Sequence, residues 1–521
     1  MTIDSSEQIK RVLIVGGGTA GWLSACHLAK KLASSSPAGV QVTLVESENI
    51  PTIGVGEGTV PAIRDSLRYL GISETEFIRE CDATFKQGIK FANWVRPPGT
   101  SGADYYHHIF DYPDNQFGDL TPYWLQGAAD GSYVDTVAVQ GAVCDSGLGP
   151  KDMTVPEYEG HTSYAYHLDA AKFARLLTRH GVKKLGVKHL LADVQSVLRD
   201  ESGDITAVKT VAGEQLEADL FVDCTGFASL LLGQSLGVKF VDKRDVLFAD
   251  YALAAQIPNQ SKDAPIPSFT ISTAQESGWI WDIGLSERRG TGYVYSSDHT
   301  SHDRAESVFR DYLDDKTGDL SIRRIPMRVG YRETFWQNNC VAIGLSQGFV
   351  EPLEATGILV YDAAARMLAD IFPANKSAMP IVAKQFNQAV QYSWDCVIDF
   401  IKLHYCISGR RDHAFWVDNC DTRSIPDSLQ EKLALWKFQP PSAYDFPSKF
   451  GIFNLANYQY VLYGMEFETT LSAGSSGWYT RMSEAVSRIQ EISMFSKQLL
   501  GALPEHRVLI ERIKKYGLQK I

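Results

Sequence analysis

The residues with the types and spacing to do chemistry fall into separate stretches of the chain. Gly16-Gly17-Gly18-Thr19-Ala20-Gly21 is a Gly-x-Gly-x-x-Gly turn, set between an apolar run (Arg11 to Val15) and an apolar helical pattern through Lys31. Gly16 permits a tight exit from a strand, Gly18 lets backbone approach a pyrophosphate, and Gly21 lets helix and strand pack closely. Thr19 and Ala20 open the helix, whose N-terminal amides attract phosphate. A second strand-like run, Val40 to Val45, ends in Glu46, placed to accept from a ribose hydroxyl. This context predicts a dinucleotide site.

Two further stretches carry charge in apolar surroundings. In CDATFKQGIKFANW (residues 81–94), Lys86 and Lys90 lie four apart, which predicts two surface lysines on an amphipathic helix or turn. In GFVEPLEATG (residues 348–357), Glu351 and Glu354 flank a proline and a leucine just before a helix start. There the backbone amides of Thr356 and Gly357 would welcome an anion. A capped helix start after a rigid turn accounts for the same residues. Trp279 and Trp281 in GWIWDIG sit at strand spacing, so both rings should face one way. Taken alone, such a pair reads as core filling.

The elements that must position these groups follow from the pattern. The βαβ opening is joined by a late strand, Asp219 to Val222, which leads into Asp223-Cys224-Thr225-Gly226. Another, Cys340 to Ile343, leads into Gly344 and then a helical stretch from Gly357. The small-residue turn in DLFVDCTG is of the kind that glutathione-reductase-type flavoproteins place beside FAD, and an NAD dehydrogenase half has no need of it. Gly344 is a further candidate at that site; Val194 in LLADVQSV reads first as a plain strand valine and second as a backbone contact for adenine. The expected fold is α/β. A discontinuous glutathione-reductase-type FAD-binding domain (1–95, 160–238 and 335–375) carries an inserted sheet and a mainly helical C-terminal region. The substrate-binding region then comprises 96–159, 239–334 and 376–521.

Bulk properties narrow the partners. The chain has 521 residues, 44% hydrophobic, enough for one large or two modest cores. Its formal charge of −12 disfavours nucleic acid and suits small molecules. No apolar run has membrane-spanning length and the polar N-terminus has no signal core, so a cytoplasmic protein is expected. The eight cysteines are scattered without a C-x-x-C pair, which predicts reduced thiols and no zinc site.

The glycine turn followed by Trp22, IPTIGVGEGTVP, ATFKQGIKFANW, GWIWDIG and FVEPLEATG occur in this order. Together they resemble the flavin-dependent tryptophan-halogenase family from about Arg11 to Gly464. The resemblance implies a two-component enzyme in which FADH2 and O2 oxidise chloride or bromide to hypohalous acid. That oxidant crosses a tunnel to a second chamber and is directed onto an electron-rich ring. Lys86 matches the family's catalytic lysine, acting as an ammonium that hydrogen-bonds the oxidant or as an amine that forms a haloamine. Glu354 matches the glutamate that polarises the oxidant or takes the proton of the arenium intermediate. Thr356 and Gly357 match the halide-binding amides, and Ile53 to Glu57 the strap between the chambers. Trp279 and Trp281 match a W-x-W-x-I-P signature whose rings line the passage.

The substrate side departs further from the family. His108 and Phe110 resemble its His-x-Phe pair, which stacks on indole; a Tyr/His-rich surface loop is the competing reading. Phe453 falls where tryptophan-specific members carry a stacking tryptophan, ahead of Asn457-Tyr458. Pro441, Ser442 and Ser448 stand where those members use a tyrosine pair and a glutamate to hold the amino acid. A bare indole or another electron-rich aromatic therefore fits better than free tryptophan. Gly284 replaces the signature proline, and Ala355 replaces the serine after the glutamate. HYCISGRRDHAFW (residues 404–416) is assigned a scaffold role. Implied partners are a separate NAD(P)H-dependent flavin reductase and a small aromatic substrate, with a homodimer left open. An FAD-dependent aromatic hydroxylase and a non-catalytic flavin-binding protein are the alternatives.

Overall fold

The apolar run RVLIV becomes the central strand of a six-stranded sheet. Its order is Trp336–Gln337, Cys340–Ala342, Leu220–Asp223, Arg11–Val15, Gln41–Glu46 and Lys188–Leu191. All neighbours pair in parallel except the first two. Parallel strands covered on both faces need continuous apolar residues, which is why Val12 to Val15 are all buried. In this computed structural model the described residues are 7–50, 56–100, 104–315, 317–448, 451–472, 474, 477 and 479–519.

The strand-to-helix turn is fixed from two sides. Gly16 has φ +110°, and a Cβ there would stand 2.2 Å from the Cys224 carbonyl oxygen, so only glycine fits. Opposite it, Asp223 holds its own turn. One carboxylate oxygen accepts from the Thr225 amide and hydroxyl, the other from the Leu231 and Leu232 amides and the Ser229 hydroxyl. The helix Thr19–Lys31 then packs against Thr356–Asp370 and Ala170–His180.

A second, seven-stranded sheet runs in the order Arg323–Pro326, Tyr251–Pro258, Arg288–Tyr295, Gly278–Gly284, Thr270–Gln275, Gly88–Ala92 and Tyr105–Ile109. Only Thr270–Gln275 and Gly88–Ala92 pair in parallel. A three-stranded sheet of Gly56–Gly58, Ala165–Asp169 and Thr84–Lys86 connects this region to the nucleotide unit. The placement of Lys86 and Lys90 on a helix or turn is thereby corrected. They end and occupy separate strands, because Gly88 interrupts the pattern and lets the chain cross to the larger sheet. A Cβ at Gly88 would come 2.6 Å from the His108 carbonyl oxygen.

From Thr356 onward the chain is helical, dominated by Met379–Cys406 and Met482–Ala502. No described helix is long and apolar enough to cross a membrane. GWIWDIG is the most enclosed strand of the large sheet, buried at every position. Trp281 faces Gly292 across the ladder, where a Cβ would meet the Trp281 ring at 2.1 Å and the Leu253 carbonyl at 2.4 Å. Gly292→Ala should therefore lower stability by about 2–3 kcal/mol through overpacking, measured by denaturant unfolding.

Candidate active site

Several described helices begin without a capping side chain, and two of these, Thr19–Lys31 and Thr356–Asp370, begin where the sequence places an anion. Thr19–Lys31 starts after Gly18 with no side-chain cap and no acid in its first turn. A Cβ at Gly18 would meet nothing within 4 Å, so space lies open in front of the Thr19 and Ala20 amides. Glu46 reaches back over Gly17, and His189 Nε2 lies 2.7 Å from its Oε1. Gly344, at φ +88°, lies against Ala20, and a Cβ there would come 2.7 Å from the Ala20 Cβ. Val194 begins the strand Val194–Arg199, two residues past Ala192, whose amide donates to the Glu46 carbonyl. These groups fit a dinucleotide phosphate and ribose.

The second uncapped start is Thr356–Asp370. Its cap residue, Ala355, sits in the left-handed region at φ 55° and contributes no side-chain hydrogen bond. The Thr356 and Gly357 amides are thus presented as a positive end. Just before them, Glu354 is almost wholly enclosed, 2% exposed, and gripped by two histidines. Asn457 Oδ1 accepts the Asn454 amide, so Nδ2 faces His108 Nε2 at 2.9 Å. His108 Nε2 therefore accepts, and Nδ1 donates to Glu354 Oε2 at 2.9 Å. His404 Nδ1 lies 2.8 Å from the Phe400 carbonyl, so it carries hydrogen. His404 Nε2 stands 2.8 Å from Glu354 Oε1, at ion-pair distance but bent away from the hydrogen-bond direction. Burial alone would raise the Glu354 carboxyl, yet the two histidines hold it down at about 2.

Lys86 is the counterpart. Three lysines are fully buried among the described residues: Lys86, Lys151 and Lys402. Lys151 bonds Glu74, the Pro156 carbonyl and Tyr164, and Lys402 bonds Asn419. Lys86 Nζ has no hydrogen-bond partner. It lies 5.3 Å from the Phe110 ring centroid and close to Gly58, where a Cβ would stand 3.2 Å away. Burial lowers its pKa from 10.5 to about 7, only partly opposed by the Glu354 charge. A buried amine held down to about 7 and a buried carboxylate held down to about 2 thus lie within electrostatic reach of each other.

The tryptophans sit where the same loop can reach them. Trp279 is 1% and Trp281 7% exposed, their ring centroids 6.3 Å apart. Trp279 Nε1 donates to Glu351 Oε2 at 2.6 Å. On the substrate side, Phe453 stacks on Phe400 with centroids 3.9 Å apart. His108 is a buried strand residue, so the surface-loop reading is corrected: its nitrogens are consumed by Glu354 and Asn457. The scaffold assignment for residues 404–416 is also corrected, since His404 touches Glu354 directly. Fifty residues separate the two, and no local pattern announces the contact. Of the strap, Ile53, Gly54 and Val55 lie outside the described residues, while Gly56 and Glu57 belong to the strand Gly56–Gly58. Ser442 is occupied in a capping box with Asp445, which in turn accepts from Trp436.

The chain matches the tryptophan halogenase family over residues 11–474. It belongs to that family. It is 39% identical to tryptophan 6-halogenase SttH of Streptomyces toxytricini over 464 residues, covering 85% of this chain and 87% of that one. It is 37% identical to tryptophan 7-halogenase RebH of Lentzea aerocolonigenes over 488 residues, covering 88% and 90%. The structure of a tryptophan halogenase from Shewanella frigidimarina superposes with TM-score 0.95 at 42% identity, covering 99% of each chain.

The Lys86 environment makes a stability prediction. Its folded pKa lies below its unfolded one, so the wild type is progressively destabilised as pH falls from 10.5 to about 7, with no further loss below. Lys86→Met should therefore raise Tm by roughly 3–5 °C at pH 7, with a smaller gain at pH 9.5, measured by scanning calorimetry.

Proposed function

We propose that this protein is an FADH2- and O2-dependent halogenase that chlorinates or brominates an indole-like or other electron-rich aromatic ring. The observation that carries the reading is Lys86: a buried, unpartnered amine beside a histidine-clamped carboxylate, in a chain that also has a flavin-type glycine turn. When bound at the Gly16–Gly21 turn, reduced flavin with dioxygen supplies the oxidising equivalents that convert halide to hypohalous acid. The residues that would hold it are Gly16, Gly18, Thr19, Ala20, Gly21, Glu46 and Gly344, with Val194 near the adenine end. Thr356 and Gly357 would hold the halide with their amides, because nothing else caps that helix.

The remaining chemistry belongs to side chains. With its pKa lowered to about 7, Lys86 can act as an ammonium that hydrogen-bonds the hypohalous acid, or as an amine that takes the halogen. In the second case the N–halogen bond forms as the O–halogen bond breaks, and water leaves with the amine proton. Glu354 stays ionised, so it can stabilise positive charge on the attacked ring and accept its departing proton. Phe110, His108 and Phe453 supply the aromatic surroundings for the ring, and Trp279 and Trp281 the barrier that keeps it from the flavin. A tyrosine pair and a glutamate to hold a free amino acid are missing at Pro441, Ser442 and Ser448, which favours indoles without an α-amino acid group. A separate NAD(P)H-dependent reductase supplies the reduced flavin, since no nicotinamide motif is present.

The test is incubation with FAD, a flavin reductase, NADH, oxygen, chloride or bromide, and a panel of indoles, with product masses recorded. A halogen isotope pattern is expected, and Lys86→Ala should reduce it at least about 100-fold while leaving FAD affinity unchanged. A halide-independent gain of one oxygen would establish a hydroxylase instead. The pH–rate profile should rise through about pH 7 to a plateau, the direction required if the amine form of Lys86 reacts.

A further inference from the structure

Glu351 precedes Glu354 by three residues, yet it faces different partners. It is 1% exposed, and its Oε2 accepts two hydrogen bonds of 2.6 Å, one from Trp279 Nε1 and one from the Tyr405 hydroxyl. Its Oε1 is buried without a partner. Burial raises this group to about 7, opposed by the hydrogen bonds from Tyr405 and Trp279 and by the Lys402 charge. Tyr405 and His404 are consecutive at the end of the helix Met379–Cys406. One grips Glu351 and the other Glu354. The helix end therefore braces both acids of the loop, and through Glu351 it also holds Trp279.

An indole in a β-strand can swing about two side-chain torsions unless something pins its far edge. Trp281 is pinned by packing across Gly292. Trp279 has the hydrogen bond to Glu351 at its N–H edge, and tilts 59° against Trp281.

We propose that Glu351, steadied by Tyr405, is a positioning residue that locks the Trp279 ring across the passage between the flavin and substrate chambers. Glu351 does not touch the reacting atoms. It acts by keeping the barrier closed to the aromatic substrate and open only to the small oxidant. This rests on the halogenase reading given above, and on Trp279 as part of the barrier.

The test compares Glu351→Ala, Glu351→Gln and Trp279→Phe in the full-length, FAD-loaded protein. The first readout needs no turnover: the indole N–H band in ultraviolet resonance Raman difference spectra against Trp279→Phe. It should report a strong hydrogen bond in the wild type and in Glu351→Gln, and a weak one in Glu351→Ala. The second is coupling, the halogenated product formed per reduced flavin consumed, with free hypohalous acid trapped by a scavenger. Glu351→Ala should lose at least five-fold in coupling with FAD affinity unchanged, and Glu351→Gln should restore it to within two-fold. Trp279→Phe should lose as much as Glu351→Ala, and the double variant no more than either. Wild-type coupling in Glu351→Ala, a loss in Glu351→Gln as large as in Glu351→Ala, or additive losses in the double variant would each overturn the proposal. If no wild-type halogenation occurs at all, the functional reading fails, while the Raman result still decides whether Glu351 holds Trp279.

Discussion

The structure depends on one costly arrangement: a lysine amine placed in the interior with nothing to bond. Lowering its pKa from 10.5 to about 7 corresponds to on the order of 4 kcal/mol withheld from folding at neutral pH. Ordinary packing would relieve such strain by turning the side chain outward or giving it a partner, as Lys151 shows with Glu74, Tyr164 and a carbonyl. Lys86 cannot do either. Its strand is paired to Ala165–Asp169, its neighbour Phe85 donates its amide to His506 Nε2, and Thr84 donates its hydroxyl to the Gly284 carbonyl. Strand and flanking bonds over-determine the position, and so keep the amine buried and unpaired.

Glu354 answers the same problem from the other side. Placed unpaired in that interior, a carboxylate would be neutralised by protonation, and its charge would be lost to the site. Two histidines from different elements prevent this, His108 on the edge strand of the large sheet and His404 at the end of the long helix. Each histidine is itself tied at its second nitrogen, to Asn457 and to the Phe400 carbonyl, so neither ring is free to rotate away. The lysine is left without support and the glutamate given a surplus of it. That asymmetry separates their protonation states and gives them different tasks.

Local signals were readable where one element carries the whole constraint. Gly16 must be glycine because of a carbonyl beyond the next strand, but its spacing to Gly18 and Gly21 already announces the turn. The alternation of Trp279 and Trp281 fixes a shared face in any strand, and both rings do point into the same core. What could not be read is what depends on distant segments meeting. Lys86 shares its spacing with Lys90, and the two differ in the structure: Lys90 is half-buried and paired with Asp145, while Lys86 is fully buried. Only Gly88 and the crossover between sheets separate their fates. His404 looked like scaffold because its partner lies fifty residues away, and the hydrogen bond it makes within its own helix gives no hint of a second role.

Ala355 joins these strands of argument. It occupies the left-handed cap position between Glu354 and the anion-receptive amides, and its Cβ lies near Gly58, beside the Lys86 amine. The serine that the resembled signature carries there would place a hydroxyl within the same small space. That hydroxyl could cap the helix or accept from the lysine, and so would help to hold one of them. With alanine, neither the helix start nor the amine has that partner. The substitution therefore removes a support but leaves both the amine and the carboxylate in place. It also explains in part why Lys86 is the one fully buried lysine, among the described residues, with no bond to its nitrogen.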